Sequence, residues 1–94
     1  MDPNEMQAFA DRCVQTGRFE TAIAMYLHMA EGDPSLDGGS LGHAIGACYE
    51  GLGDLHAARY WYGRAAEENP AIELYQRDFE RMANVRAEDL LSAA

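Results

Sequence analysis

The sequence predicts an all-α protein: two antiparallel helical hairpins followed by a closing helix. Three observations carry that reading. Apolar residues recur at three- and four-residue steps in five stretches, Gly, Asp and Pro punctuate those stretches, and the two halves of the chain match each other at a fixed shift of 36 residues. The first places the apolar side chains on one face of a helix, and the second ends each helix. The third is the mark of a stacked repeat.

In the first helix Met6, Phe9, Ala10, Cys13 and Val14 share a face. Asp2 suits its N-cap, Pro3 its first turn, and Glu5 stands three residues after Asp2 as in a capping box. Gly17 ends it. The second helix carries Phe19, Ala22, Ile23, Tyr26, Met29 and Ala30 until Gly32-Asp33-Pro34 breaks the pattern. A link this short makes the two helices antiparallel. Residues 33–40 (DPSLDGGS) are the one loop-like stretch of any length and mark the joint between units.

Leu41, Ile45, Cys48, Tyr49 and Leu52 define a third helix closed by Gly53, and Asp54 caps a fourth with Leu55, Ala58, Trp61, Tyr62, Ala65 and Ala66 on its apolar face. Asn69-Pro70 closes it. A fifth helix, over about 71–84, carries Ile72, Tyr75, Phe79 and Met82, with Asn84 as its stop and 85–94 as a tail.

The 36-residue shift aligns Phe9 with Ile45, Ala10 with Gly46, Gly17 with Gly53, Phe19 with Leu55, Ala22 with Ala58, Tyr26 with Tyr62, Ala30 with Ala66 and Pro34 with Pro70. The run Ile45-Gly46, Tyr49, Gly53, Leu55, Ala58, Tyr62, Ala65, Pro70 resembles the tetratricopeptide repeat. The first copy is looser, with Cys13 where that family usually has an aromatic and Met29 where it usually has alanine. The resemblance implies one domain over 1–94: a repeat at about 3–36, a second at about 39–72, and the closing helix, stacked as a short right-handed superhelix. Such repeats run to about 34 residues, so two extra residues fall within Asp37-Gly38-Gly39-Ser40. Gly42 and Gly46 each cost a helix interior about 1 kcal/mol relative to alanine, which makes the third helix the weakest. Close packing is what Gly42 supplies in return, and small residues such as Gly46 and Ala58 let the two helices of the hairpin approach.

Composition narrows the function. With 48% hydrophobic and 24% charged residues the chain reads as an ordinary soluble globular protein. Seven arginines, no lysine and sixteen acids give a net charge of -9, a poor match for nucleic acid or an anionic membrane surface. The opening Met1-Asp2-Pro3-Asn4-Glu5 has no signal-peptide character, and no apolar run approaches the ~20 residues of a membrane span, so a cytoplasmic location is expected. Cys13 and Cys48 lie inside helical patterns and read as reduced thiols in a core.

Catalytic and cofactor signals are lacking. His28, His43 and His56 show no metal-ligand spacing, Gly38-Gly39 lacks the strand and lysine of a phosphate loop, and His43 and Cys48 diverge on one helix. No cofactor is expected. Tyr60-Trp61-Tyr62 and the methionines Met25, Met29 and Met82 read as packing.

The tetratricopeptide resemblance implies a non-enzymatic adaptor or chaperone-like module, in which the first helix of each hairpin lines a concave groove for a partner peptide. The matching positions are Asn4, Gln7, Asp11, Val14 and Gln15, then Ser40, His43, Ala47 and Glu50, then Leu74, Arg77, Arg81 and Asn84 on the closing helix. Asp11 and Ala47 stand where the carboxylate-gripping subgroup of that family wants a polar donor, so that clamp is incomplete. Arg77 and Arg81, one turn apart, are expected to form a basic end that meets an acidic segment of the partner. Local pairing with Glu73 and Asp78 is the competing account. The alternative function is self-association, a homodimer built on Leu74, Leu90 and Leu91.

Overall fold

A computed structural model describes residues 2–33 and 35–83. It contains α1 (Pro3–Gln15), α2 (Phe19–Ala30), α3 (Ser40–Gly51), α4 (Leu55–Glu68) and α5 (Glu73–Arg81), and no strand among the described residues. Each helix packs on the next, α1 on α2, α2 on α3, α3 on α4 and α4 on α5.

The helix ends follow the residues expected to make them. Asp2 accepts the Glu5 N–H at 2.8 Å and Asp54 accepts the Ala57 N–H at 3.1 Å, so α1 and α4 start on side-chain caps. The turn from α1 to α2 is closed by two backbone bonds, Arg18 N–H to the Cys13 carbonyl at 2.7 Å and Gly17 N–H to Val14 at 3.1 Å. The same two bonds recur between α3 and α4, from Asp54 to Tyr49 at 3.0 Å and from Gly53 to Glu50 at 3.0 Å. Both require a left-handed residue, and glycine fills each place, Gly17 at φ +77 and Gly53 at φ +81.

The fifth helix is shorter than the pattern suggests. Ile72 is extended and caps it, and at Met82 the backbone leaves helical geometry: the Met82 N–H turns to the Phe79 carbonyl at 3.1 Å and the Ala83 N–H to the Glu80 carbonyl at 2.9 Å. Asn84 and the tail at 85–94 lie outside the described residues.

One cluster of buried side chains joins α1, α2 and α3 through Ala10, Cys13, Ala22, Ile23, Tyr26, Leu41, Ile45 and Cys48. A second joins α4 to the end of α5 through Ala58, Tyr62 and Met82. The first holds a residue that periodicity does not reveal. Leu36, in the 33–40 loop, is 3% exposed and belongs to this core. It begins four consecutive left-handed residues, Leu36 (φ 55), Asp37 (φ 53), Gly38 (φ 64) and Gly39 (φ 93), a conformation that costs non-glycine residues about 1–2 kcal/mol each. The Asp33 carboxylate offsets that strain by accepting the Ser35 N–H (3.1 Å), the Ser35 hydroxyl (2.7 Å) and the Asp37 N–H (2.8 Å). These bonds, that from the Ser35 hydroxyl foremost, hold its acidity below the usual carboxylate range.

Glycines set how closely α3 approaches α4. A Cβ on Gly42 would lie 3.3 Å from Leu36 Cδ1 and 3.4 Å from the Trp61 carbonyl; one on Gly46 would lie 2.7 Å from the Tyr62 ring. Alanine at 46 would gain about 1 kcal/mol of helix propensity but must displace a buried tyrosine, and overpacking costs about 1–3 kcal/mol. Gly46→Ala is therefore expected to lower the melting temperature, as is Ala58→Leu at a fully buried position of α4; a rise in either variant by thermal denaturation would contradict this packing.

Candidate functional site

Three helices carry the residues that the sequence assigns to a binding face, and the structure sorts them into two groups. Asn4, Gln7, Asp11, Val14 and Gln15 lie on α1, Ser40, His43, Ala47 and Glu50 on α3, and Leu74, Arg77 and Arg81 on α5.

The first group borders an open cleft of about 710 Å³ where the start of α1, the end of α2 and the start of α3 converge. Asn4, Gln7 and Ser40 line it. Pro3, Met6, His28, Met29, Gly32, Asp33, Asp37 and Leu41 complete the lining; the sequence marks none of these as a binding position. Met29 and Leu41 serve the core, and their edges form the apolar part of the cleft. Helical spacing alone places both in the core. A hydrophobic stripe wider than the interface it covers is the only signal that could have marked them.

The second group is a polar network that ties α3, α4 and α5 together. Glu50 accepts the Tyr62 hydroxyl at 2.7 Å and both terminal nitrogens of Arg81, at 2.6 and 2.9 Å. Arg81 also donates to Asp78 Oδ1, from Nη2 at 2.9 Å and from Nε at 3.3 Å. Asp78 Oδ2 is 2.6 Å from His43 Nε2, and the imidazole stacks on Tyr75 at 5.0 Å between ring centroids. The electrostatics follow from these bonds. The Arg81 hydrogen bonds outweigh burial and hold Glu50 down to about 2, and Glu50 and Asp78 together push the Arg81 guanidinium further up. Burial raises Asp78, yet its bonds to His43 and Arg81 keep it below the usual carboxylate range. Burial, then the bond to Glu50, moves the Tyr62 phenol above its ordinary value.

This geometry corrects the basic end assigned to the closing helix. Arg81 is bidentate to Glu50 and paired with Asp78, so its donors serve the fold. Arg77 remains exposed, 3.9 Å from Glu73. Asp11 is likewise engaged internally, accepting the Tyr26 hydroxyl at 2.6 Å and the Gln7 amide at 3.0 Å. Val14 and Ala47 are half-buried against the core, Gln15 and Leu74 are exposed, and Asn84 lies outside the described residues. Each buried tyrosine of the aligned pair thus meets a carboxylate, though Asp11 and Glu50 are one helical turn out of register with each other across the shift of 36.

Cys13 and Cys48 are free and buried, and burial pushes the Cys48 thiol up to about 11, which suppresses its thiolate. Among the described residues no three His, Cys, Asp or Glu side chains are placed to hold a metal ion, and no helix is long and apolar enough to cross a membrane. No protein-family model, curated protein or solved structure matches the chain.

Glu50 gives the network a pH signature. Its folded value of about 2 lies below the ordinary 4.5, so its contribution to stability is complete above pH 4.5 and is lost as pH falls through 2. Glu50→Gln removes that dependence. Stability measured by urea unfolding from pH 5 to pH 2 should fall more steeply in the parent than in the variant; parallel curves would contradict the assigned role.

Proposed function

We propose that the chain is a short, non-catalytic helical-repeat module that holds a segment of a partner protein against α1 and α3. The observation that carries the reading is the 710 Å³ cleft, in which exposed Asn4 and Ser40 and half-buried Gln7 stand beside the edges of Met6, Met29 and Leu41. Amides and a hydroxyl can bond the main chain of an extended peptide, while the thioethers adapt to an apolar side chain set between them. The 36-residue self-similarity and the turn bonds recurring at the same interval support a tetratricopeptide-like stack, with α5 as the closing helix.

In this reading the Glu50–Arg81–Asp78–His43 network fixes α3, one wall of the cleft, against α4 and α5 rather than contacting the partner. A rigid frame lowers the ordering cost of binding, which is how a surface of this size gains affinity. Self-association is the second reading; Ile72 (37% exposed) and Leu74 (46%) stand close together at the start of α5 and favour it. The other two leucines assigned to that contact, Leu90 and Leu91, lie outside the described residues.

The test uses a display library of random twelve-residue peptides, selected on the full chain. A cleft variant carrying Asn4→Trp and Ser40→Trp, both at exposed positions, should bind the selected peptides at least about tenfold more weakly, a loss of ~1.4 kcal/mol. Failure to enrich any peptide, or equal affinity for parent and variant, would contradict the assignment. Sedimentation across concentrations reads the second hypothesis directly.

A further inference from the structure

We propose that the chain carries a second docking surface, on the face of α4 beside α5, for an acidic segment of a partner protein. This surface is separate from the cleft at α1 and α3, and it inverts the charge of the rest of the molecule. The chain has a net charge of -9, yet a cleft of about 490 Å³ here is lined by two arginines, Arg59 and Arg64, against a single acid, Glu67, with His56 beside them. Tyr60 and Phe79 supply its apolar part.

The two arginines are held in a particular way. The Arg59 guanidinium carbon lies 5.9 Å from the centroid of the Phe79 ring, and that of Arg64 lies 5.3 Å from the Trp61 ring. The negative face of a ring attracts the cation, and the planar fork keeps its N–H groups for a carboxylate. Among the described residues neither arginine takes part in a salt bridge or a side-chain hydrogen bond, in contrast to Arg81, whose donors are taken by Glu50 and Asp78. Both are half-buried, whereas Arg12, Arg18 and Arg77 are exposed. Two partly desolvated, ring-supported guanidinium groups beside one cleft therefore offer carboxylate-binding capacity that the described fold does not use.

Charge complementarity selects the occupant. A short peptide with two or more carboxylates brings little negative charge beyond the groups that pair, whereas a nucleic acid or a whole second copy sets a large like charge against the -9 of this chain. Tyr60, 58% exposed, gives an apolar residue of the peptide a ring to lie on.

The test titrates the full chain with the peptide acetyl-Asp-Glu-Leu-Asp-Glu-amide and with its Asn/Gln counterpart, read by calorimetry and by the fluorescence of Trp61, the only tryptophan. The acidic peptide should bind at least tenfold more tightly than the neutral one, with an affinity that falls as salt rises. Arg59→Gln with Arg64→Gln should abolish that preference, and Arg59→Lys with Arg64→Lys, which keeps charge and fold, should retain only part of it. The Asn4→Trp, Ser40→Trp variant, read by calorimetry alone because it carries two further tryptophans, should bind as the parent does, which separates this surface from the cleft at α1 and α3. No binding by the parent, or unchanged binding by the glutamine variant, would overturn the proposal. So would two other results that reassign the occupant: tenfold tighter peptide binding after Glu88→Gln with Asp89→Gln, which would mean that the chain's own acids fill the surface, or a dimer that the glutamine variant dissolves.

Discussion

The distance between α3 and α4 is the constraint on which the other contacts depend. Gly46 admits the Tyr62 ring where any side chain would collide with it, and Gly42 lets α3 approach the Trp61 carbonyl. With Tyr62 seated on Gly46, its hydroxyl reaches Glu50 one turn further along α3. Glu50, fixed on one side by the phenol, has the geometry to hold Arg81 through two bonds, and Arg81 and His43 then share Asp78. The position of α5 is thus set by a chain of polar contacts that begins with a missing methyl group. Helix propensity opposes both glycines, so their presence in α3 is explained by packing against a neighbour and by nothing local.

Acidity has more than one use in this chain. Asp2 and Asp54 cap helices, Asp33 pins a strained loop, Asp11 and Glu50 hold buried tyrosines, and Asp78 joins a histidine to an arginine. Only the carboxylates without such partners are left to act through net charge alone, as solubilising groups. The engaged ones are hydrogen-bond acceptors whose loss would leave donors unmet.

Local chemistry was legible in the sequence, and long-range polar pairing was not. Apolar spacing located all five helices, and Asp2, Gly17, Gly53 and Asp54 marked ends that the structure places at the same residues. Leu36 escaped because a lone leucine among Asp, Gly and Ser carries no period; its burial follows from the left-handed turn that aims it inward. The candidate face divides in the structure. Asn4, Gln7 and Ser40 do border a cleft, while Asp11, His43, Glu50 and Arg81 are bound internally. Helical spacing tells which side of a helix a residue occupies, but whether Arg81 faces solvent or Glu50, thirty-one residues away, depends on how close the helices come.

The most direct test of that dependence is a nuclear Overhauser measurement on the full chain. Strong cross-peaks are expected between the Gly46 α-protons and the Tyr62 ring protons, with at least one α-proton shifted by the ring current. Absence of both, in a folded sample with dispersed signals, would contradict the glycine contact and with it the placement of Glu50, Arg81 and α5.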